Sequence, residues 1–183
     1  DVIVLTIGTG LGGGIIVTDQ ILLGRAGFGG ELGHFSIHMQ GEPCTCKNRG
    51  CFEQYASMTA LVRSVGKYCE AAAPGFLKDR PVNGRTIFEA VAGGDAAITR
   101  IVDTWIQDIS AGIVSLVHIF NPELVIIGGG VSTQEELFIA KLREKVLEDV
   151  MPNFKQGLTL RAATLGNSAG MIGAVYYLTK ALS

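Results

Sequence analysis

The sequence lacks a long hydrophobic run, an excess of charge of one sign and a cysteine-rich framework. Its apolar runs are short and broken by glycine, which excludes a membrane-spanning helix. Acidic and basic residues number 17 and 15, for a net charge of -2, so no basic field favours nucleic acid and no charged tail is indicated. With four cysteines among 183 residues, a disulfide framework would be unusual in a chain of this length.

Hydrophobic residues are abundant, at 48% of the 183 residues, and allow a sizeable core within one domain or one large lobe. The chain begins inside a strand-like run at Asp1–Ile3, without an initiator methionine or a signal-peptide pattern. We therefore expect a domain cropped from a longer protein, with its upstream part missing. Three of the four cysteines lie within 44–51, which favours metal binding in a reducing cytoplasm.

The first half of the chain begins with three apolar, β-branched runs. They predict strands at 2–7, 14–18 and 20–23. Thr18 and Asp19 supply turn chemistry between the second and third runs, so the three strands are expected to form an antiparallel meander. The glycine-rich segment 24–50 has no sustained period and is expected to be a long ordered loop.

Apolar residues at helical spacing then predict five helices, with two further strands between them. The helices are expected at 51–73 (ending before Pro74 and Gly75), about 86–93, 95–120, 132–150 and 167–181, and the strands at 123–127 and 158–164. Thr86 with Glu89 and Ser132 with Glu135 have capping-box spacing, and Asp95 is the expected N-cap of the longest helix.

The predicted element order is β-β-β-α-β-α-β-α, with the meander first and alternation afterwards. This order indicates an α/β fold with a mixed sheet covered by helices. It is also the order of a ribonuclease H-like half of the actin/hexokinase ATPase fold. That likeness is an analogy of fold and carries no chemistry by itself.

One histidine and three cysteines have the spacing of a closed zinc site. The pattern is His34-x9-Cys44-x-Cys46-x4-Cys51, and a Cys3His set fills all four positions of a structural zinc ion. Zinc would then order a loop that has too few apolar residues to fold alone. The alternative is three free cysteines with an unrelated histidine, and His38 is a weaker alternative ligand than His34.

Two glycine-rich segments are candidates for nucleotide contact. The first joins the first two strands, and its backbone N–H groups could cradle phosphate; its residues are Gly8, Thr9, Gly10, Gly12, Gly13 and Gly14. The second follows a buried strand and precedes a helix; its residues are Gly128, Gly129 and Gly130. The alternatives are a glycine-rich hairpin turn and a plain strand–helix turn.

Four segments together resemble the ROK family of repressors, open reading frames and kinases. They are LTIGTGLGGGI at 5–15, GFGGELGH at 27–34, CTCKNRGCFEQYAS at 44–57 and NPELVIIGGGVS at 121–132. The likeness covers residues 1–183 as the larger C-terminal lobe of such a protein, without the N-terminal lobe. It implies an ATP-dependent sugar kinase fold with a cleft between two lobes, often as a homodimer.

The resemblance also implies roles for individual residues. Glu31, His34 and Glu53 match the family's sugar contacts, with His34 binding zinc through one ring nitrogen and facing the sugar with the other. Gly8–Gly14 would contact the phosphates of ATP with Mg²⁺, with Thr9 near the transferred one, and Gly128–Gly130 would lie near the adenosine. For Glu31 the alternative is a solvated loop charge, and for Glu53 an acidic residue at a helix start.

Two departures from the family pattern stand out. Lys47 occupies a position where the family commonly has glycine. The family's catalytic base is an aspartate in an upstream segment, and no aspartate within residues 1–183 matches it, so these residues alone are expected to be inactive.

The expected function is phosphorylation of a hexose or hexose derivative such as glucose, N-acetylmannosamine, N-acetylglucosamine or a β-glucoside. One alternative is the sugar-sensing body of a repressor, which would bind nucleic acid only through an added DNA-binding module. Another is a zinc-stabilised binding domain without catalysis.

Overall fold

The computed structural model describes residues 1–72 and 75–182. Five strands form one mixed sheet in the order β3-β2-β1-β4-β5. The strands are β1 (Val2–Ile7), β2 (Leu11–Val17), β3 (Gln20–Ile21), β4 (Leu124–Gly128) and β5 (Thr159–Ala162). β1 is antiparallel to β2 and parallel to β4, and β4 is parallel to β5, so the predicted mixed sheet is confirmed.

Seven α-helices accompany the sheet within the described residues. They are α1 (Glu53–Ala56), α2 (Met58–Ala71), α3 (Gly84–Ala92), α4 (Ala96–Phe120), α5 (Ala140–Asp149), α6 (Pro152–Lys155) and α7 (Ala169–Leu182). Short 3-10 turns lie at Gly130–Thr133 and Gly166–Ser168, and a π-helical turn lies at Glu135–Ile139. None of the described helices is both long enough and apolar enough to cross a membrane.

The hydrophobic core lies between the sheet and the helices. On β1, Ile3, Leu5 and Ile7 are buried in alternation, which places one face of the central strand against the core. The long helix α4 contacts α1, α2, α3 and α5. Its buried side chains recur at three- and four-residue steps, as the sequence pattern predicted.

The strand boundaries correct the sequence prediction at the glycine-rich segment. β2 begins at Leu11 rather than at residue 14, so Gly12, Gly13 and Gly14 pair with β1 and only Gly8–Gly10 form the connection. Glycine has a low strand propensity, but the backbone ladder with β1 needs no side chain. β3 is likewise shorter than predicted, with two residues.

The helix predicted at 51–73 is two helices. They are separated at Ser57, whose backbone is extended and whose side chain accepts a hydrogen bond from the Ala60 amide. This serine N-cap starts α2 in a new direction. The second helix ends at Ala71, and the predicted end at Ala73 before Pro74 lies outside the described residues.

The predicted N-caps are partly corrected. Asp95 caps α4 by accepting hydrogen bonds from the Ala97 and Ile98 amides, as expected. The capping box of α3 is formed by Asn83 and Thr86, not by Thr86 and Glu89. Asn83 was missed because the capping box lies one turn earlier than the spacing of Thr86 and Glu89 suggested. Glu89 forms ion pairs with Arg80 and Arg85 instead.

The predicted helix 132–150 also has a different start. Ser132 donates a hydrogen bond to the Gly129 carbonyl instead of capping a helix with Glu135. A π-helical turn at Glu135–Ile139 precedes α5, and it places Phe138 and Ile139 in the core. Single-sequence spacing at 3.6 residues per turn gives no signal for such a π turn.

Candidate functional site

His34, Cys44, Cys46 and Cys51 come together as the sequence predicted. One ligand atom from each residue lies within 4.8 Å of the others. Cys46 Sγ is 3.5 Å from Cys51 Sγ, and Cys44 Sγ is 3.6 Å from His34 Nδ1. Tetrahedral zinc with ordinary Zn–S and Zn–N bonds separates such ligand pairs by about 3.6 to 3.8 Å. The donor set and its spacing therefore fit a zinc ion.

The two ring nitrogens of His34 face different partners. Nδ1 faces the Cys44 thiol, whereas Nε2 lies 4.0 Å from Glu31 Oε2. A metal on Nδ1 would fix the ring and leave Nε2 directed towards Glu31. His38, the weaker alternative ligand, is not in the cluster and pairs through Nε2 with Asp108 at 2.9 Å.

The pKa values of Cys44 and Cys51 are shifted in opposite directions. Burial would raise the pKa of Cys44, but hydrogen bonds from the Cys46 backbone and from the Cys46, Cys51 and His34 side chains lower it to about 6. Burial, followed by the neighbouring Cys46 and Cys44, raises the pKa of Cys51 to about 12. Three neighbouring thiolates repel one another, so a bound cation is needed to deprotonate all three.

The loop that carries the cysteines is shaped by two bridges and one required glycine. Isolated β-bridges join Ser36 to Cys51 and Pro43 to Arg49. Gly50 has a φ of 75°, and a Cβ there would overlap the His38 carbonyl. A glycine is therefore required immediately before Cys51, a requirement that the spacing of the metal ligands did not reveal.

Outer contacts of the cluster were also missed by sequence reasoning. The Gln54 side-chain amide points at Cys44 Sγ at 3.8 Å, and Arg63 donates to both the Gln54 backbone carbonyl and its side-chain oxygen. Such contacts orient the ligands of a metal site. They depend on α2 lying beside the loop, so linear spacing could not indicate them.

Phe52 anchors the same loop to the core. Its side chain is fully buried and lies against Gly112 of α4, where a Cβ would overlap the ring. The Phe35 ring centroid lies 5.1 Å from that of Phe52. The Phe52 side chain therefore attaches the metal loop to the longest helix, which also binds His38 through Asp108.

Glu53 connects the metal loop to the glycine turn. Its amide donates to the Gly33 carbonyl at 2.9 Å, which places it beside the segment of Glu31 and His34. Its Oε2 accepts a hydrogen bond of 2.9 Å from the Leu11 amide. The carboxylate is therefore between the metal loop and the end of the Gly8–Gly10 turn.

Two further contacts hold the Gly8–Gly10 turn from the side of α2. The Gly8 carbonyl accepts from the Met58 amide at 2.9 Å, and the Thr9 carbonyl accepts from Thr59 Oγ1 at 2.6 Å. Among the described residues, the Thr9 and Gly10 amides have no hydrogen-bond partner. The turn therefore has its carbonyls occupied and two amides available to an anion.

A cavity of about 760 Å³ opens beside this turn. Gly8, Thr9 and Gly130 line it, so the two predicted nucleotide segments meet in one space. The remaining walls come mostly from α2 and α3, which include Val62 and Phe88. The contribution of α3 was missed, because its amphipathic sequence is equally typical of a helix that only packs on a core.

Of the second glycine segment, Gly130 lines the cavity, while Gly128 ends β4. Gly129 has a φ of 94°, and a Cβ there would overlap the backbone of Ile7. Only glycine can adopt this positive φ and also leave room for the Ile7 backbone, so glycine at this position lets the chain pass over the end of β1. Gly129 therefore lies against β1, immediately before Gly130 of the cavity wall.

Comparison with known proteins decides the family. The model of the ROK family matches residues 1–181. This chain belongs to the ROK family. The match covers nearly the whole chain, in agreement with the resemblance found in its four sequence segments.

Several relatives of this ROK-family chain have known activities. A glucokinase from Thermotoga maritima is 37% identical over 178 residues, which cover 94% of this chain and 56% of that protein. A xylose repressor from Caldicellulosiruptor bescii is 33% identical over 183 residues, which cover 96% of this chain and 45% of that protein. The chain thus spans about half the length of the curated relatives that it matches.

A solved structure confirms the fold class. A ROK family glucokinase from Streptomyces griseus, in complex with glucose and AMPPNP, superposes with a TM-score of 0.86 and 35% identity, covering 95% of this chain and 59% of that one. The predicted ribonuclease H-like half of the actin/hexokinase architecture is therefore confirmed.

Proposed function

We propose that this chain is the larger, C-terminal lobe of a sugar kinase that transfers the γ-phosphoryl group of ATP to a hydroxyl of a hexose or hexose derivative. One observation carries the proposal. The Gly8–Gly10 turn borders the large cavity on one side and is bound by Glu53, next to the metal loop, on the other. Phosphoryl transfer requires this proximity of a phosphate site and a hydroxyl site.

The sugar would lie against Glu31, His34 and Glu53. Carboxylates accept strong hydrogen bonds from hydroxyl groups, and Glu31 is largely exposed beside the outward-facing His34 Nε2. Zinc held by His34 and the three cysteines would keep that ring in one orientation. The zinc would thereby have an indirect role in sugar binding, through the ring that it fixes.

The nucleotide would occupy the large cavity, with its phosphates at Gly8–Gly10 and Thr9 nearest the transferred group. Gly130 and the apolar wall that includes Phe88 also line this cavity and would suit the adenosine. Magnesium would accompany the phosphates and neutralise their charge. Glycines 12–14 would support the turn from β2 instead of contacting phosphate.

The aspartate that accepts the hydroxyl proton would come from outside residues 1–183, since no aspartate here matches the family's base. Asp103 and Asp108 on α4 are already paired with Lys141 and His38. We also place the protein in the cytoplasm, where cysteine ligands stay reduced, and expect a homodimer, as the family resemblance implies.

The proposal is tested by measuring ADP formation by the full-length protein with ATP, magnesium and a panel of sugars. The panel contains glucose, N-acetylmannosamine, N-acetylglucosamine and a β-glucoside. We expect ADP formation that depends on at least one of these sugars, and a strong loss in Glu31→Gln. ADP formation at the same rate with and without every sugar would contradict a sugar kinase.

The second candidate is the sugar-sensing body of a repressor, because a xylose repressor is among the similar proteins. If the protein is a repressor, it should bind sugar but show no sugar-dependent ADP formation. The full-length protein would then also bind a DNA fragment from its own promoter region, and sugar would release it. Sugar-dependent ADP formation without DNA binding would exclude this candidate.

A further inference from the structure

We propose that Glu53 is a positioning residue for the phosphate-binding turn. Its carboxylate holds the Leu11 amide and so sets the conformation in which Thr9 and Gly10 present their amides to a nucleotide phosphate. The inference rests on the proposed function, since it requires a nucleotide in the cavity beside this turn. It adds a second role to Glu53 besides contact with the sugar.

The Gly8–Gly10 turn is held from two sides. Gly8 and Thr9 are bound through their carbonyls, by Met58 and Thr59 of α2. Among the described residues, Glu53 is the single side chain that accepts a hydrogen bond from a backbone amide of residues 8–11. Removing this acceptor would leave the exit of the turn fixed only by its pairing with β1.

The space around the Glu53 carboxylate requires glycine at position 10. A Cβ on residue 10 would lie 2.5 Å from Glu53 Oε2, which is closer than the two atoms can approach. Glycine at position 10 therefore admits the carboxylate to the back of the turn. The Glu53 amide bond to the Gly33 carbonyl, at 2.9 Å, fixes the backbone from which the carboxylate reaches.

The hydrogen bond between the Leu11 amide and Glu53 also favours this role energetically. A hydrogen bond from an amide to a carboxylate is stronger than one to a neutral acceptor. A glycine-rich backbone loses much conformational entropy when it is ordered. A turn that is ordered before the ligand binds avoids this loss, and therefore binds the ligand more tightly than a flexible turn. The negative charge of Glu53 repels a nearby phosphate. Glu53 therefore helps nucleotide binding by accepting the hydrogen bond from the Leu11 amide, and not by its charge.

The test is the dissociation constant of ADP, measured without sugar in the full-length protein. Glu53→Ala removes the acceptor, and we expect ADP affinity to fall about tenfold, as expected for one charge-assisted hydrogen bond. Glu53→Asp keeps the charge but withdraws the carboxylate by one methylene, and we expect a comparable fall. Glu53→Gln keeps an acceptor in place and should restore ADP affinity to within about threefold of wild type.

Glu31→Ala is the matched control, because it removes the other carboxylate beside the metal loop without touching the turn. We expect its ADP affinity to stay within about twofold of wild type. Zinc content measured in every variant shows that the metal loop is intact, and Glu53→Gln should weaken sugar binding while zinc stays bound.

Two failures have different meanings. If wild type binds ADP, and Glu53→Ala and Glu53→Asp bind it equally well, Glu53 does not position the turn, although the proposed function stands. If the wild-type protein binds no ADP, the nucleotide site fails and this inference fails with it. Should Glu53→Ala not fold, the comparison of Glu53→Asp with Glu53→Gln decides the same question.

Discussion

At the scale of single residues, the orientation of His34 matters most. Its Nδ1 faces the thiol cluster and its Nε2 faces Glu31, so one ring belongs to both the metal site and the candidate sugar site. The linear spacing of histidine and cysteines predicted the four ligands. It could not show which nitrogen faces which partner, because that depends on the fold of the loop around Gly50.

A His34→Ala variant should therefore lose zinc and sugar affinity together. With three ligands left, we expect zinc affinity to fall at least about 100-fold, which exceeds the usual effect of an outer contact. His38→Ala is the control, since His38 lies outside the cluster and should leave zinc content unchanged. The measurements are zinc content after dialysis against a weak chelator and sugar binding by calorimetry. If zinc-free His34→Ala kept full sugar affinity, the sugar site would depend neither on His34 nor on the zinc cluster.

Lys47 is the second residue with a clear physical consequence. It has a φ of 72° in the zinc loop, a left-handed conformation that costs a side-chain-bearing residue about 1 kcal/mol or more. The sequence showed lysine where the family commonly has glycine, and the structure supplies the reason for that glycine.

Lys47→Gly should therefore raise the free energy of unfolding of the zinc-loaded protein, by up to about 1 kcal/mol, since glycine adopts this conformation without strain. Lys47→Ala keeps the Cβ and should change it little. Urea unfolding at fixed zinc concentration measures both variants. A lower stability of Lys47→Gly would mean that the added freedom of the unfolded chain outweighs the strain.

At the scale of helices and strands, long periodic segments were predicted well and irregular ones were not. The spacing of apolar residues and the Asp95 cap located α4. The break at Ser57 and the π turn at Glu135–Ile139 were missed, because the spacing of apolar residues shows neither a serine N-cap within a helical run nor a π turn. The assignment of Gly12 and Gly13 to the connecting turn also failed, since β1 supplies their pairing.

The packing of Phe52 against α4 predicts how substitutions of helical glycines change the stability of the protein. Gly112→Ala should lower the free energy of unfolding by about 1 to 3 kcal/mol, because its Cβ would overpack the buried Phe52 ring. Gly66→Ala is the matched control within α2, where a Cβ meets nothing within 4 Å. It should stabilise by about 0.5 to 1 kcal/mol, as alanine does in a helix.

Thermal and urea unfolding of the two glycine variants provide the comparison. Loss of zinc from Gly112→Ala would additionally show that the Phe52 anchor holds the metal loop in place. Equal stability of Gly112→Ala and wild type would mean that α4 shifts freely away from Phe52, against the packing described here.

At the scale of the whole molecule, three features meet around the Gly8–Gly10 turn. The large cavity borders the turn, α2 binds the carbonyls of the turn, and Glu53 connects it to the metal loop. Sequence motifs identified the turn and the loop separately, and the family resemblance linked them. The walls supplied by α3 and the Glu53 bond to Leu11 could be found only in three dimensions, since they join residues far apart in the chain.

The zinc cluster is central to this account, because it is proposed to hold the sugar site as well as its own loop. The most direct test is sugar affinity as a function of zinc occupancy in the full-length protein, using the sugar with the highest turnover in the panel. We expect the fraction of protein that binds sugar with full affinity to fall in proportion to the zinc removed by a chelator and to return when zinc is restored. Unchanged sugar affinity in zinc-free, folded protein would contradict the account and reduce the cluster to a stabiliser of the loop.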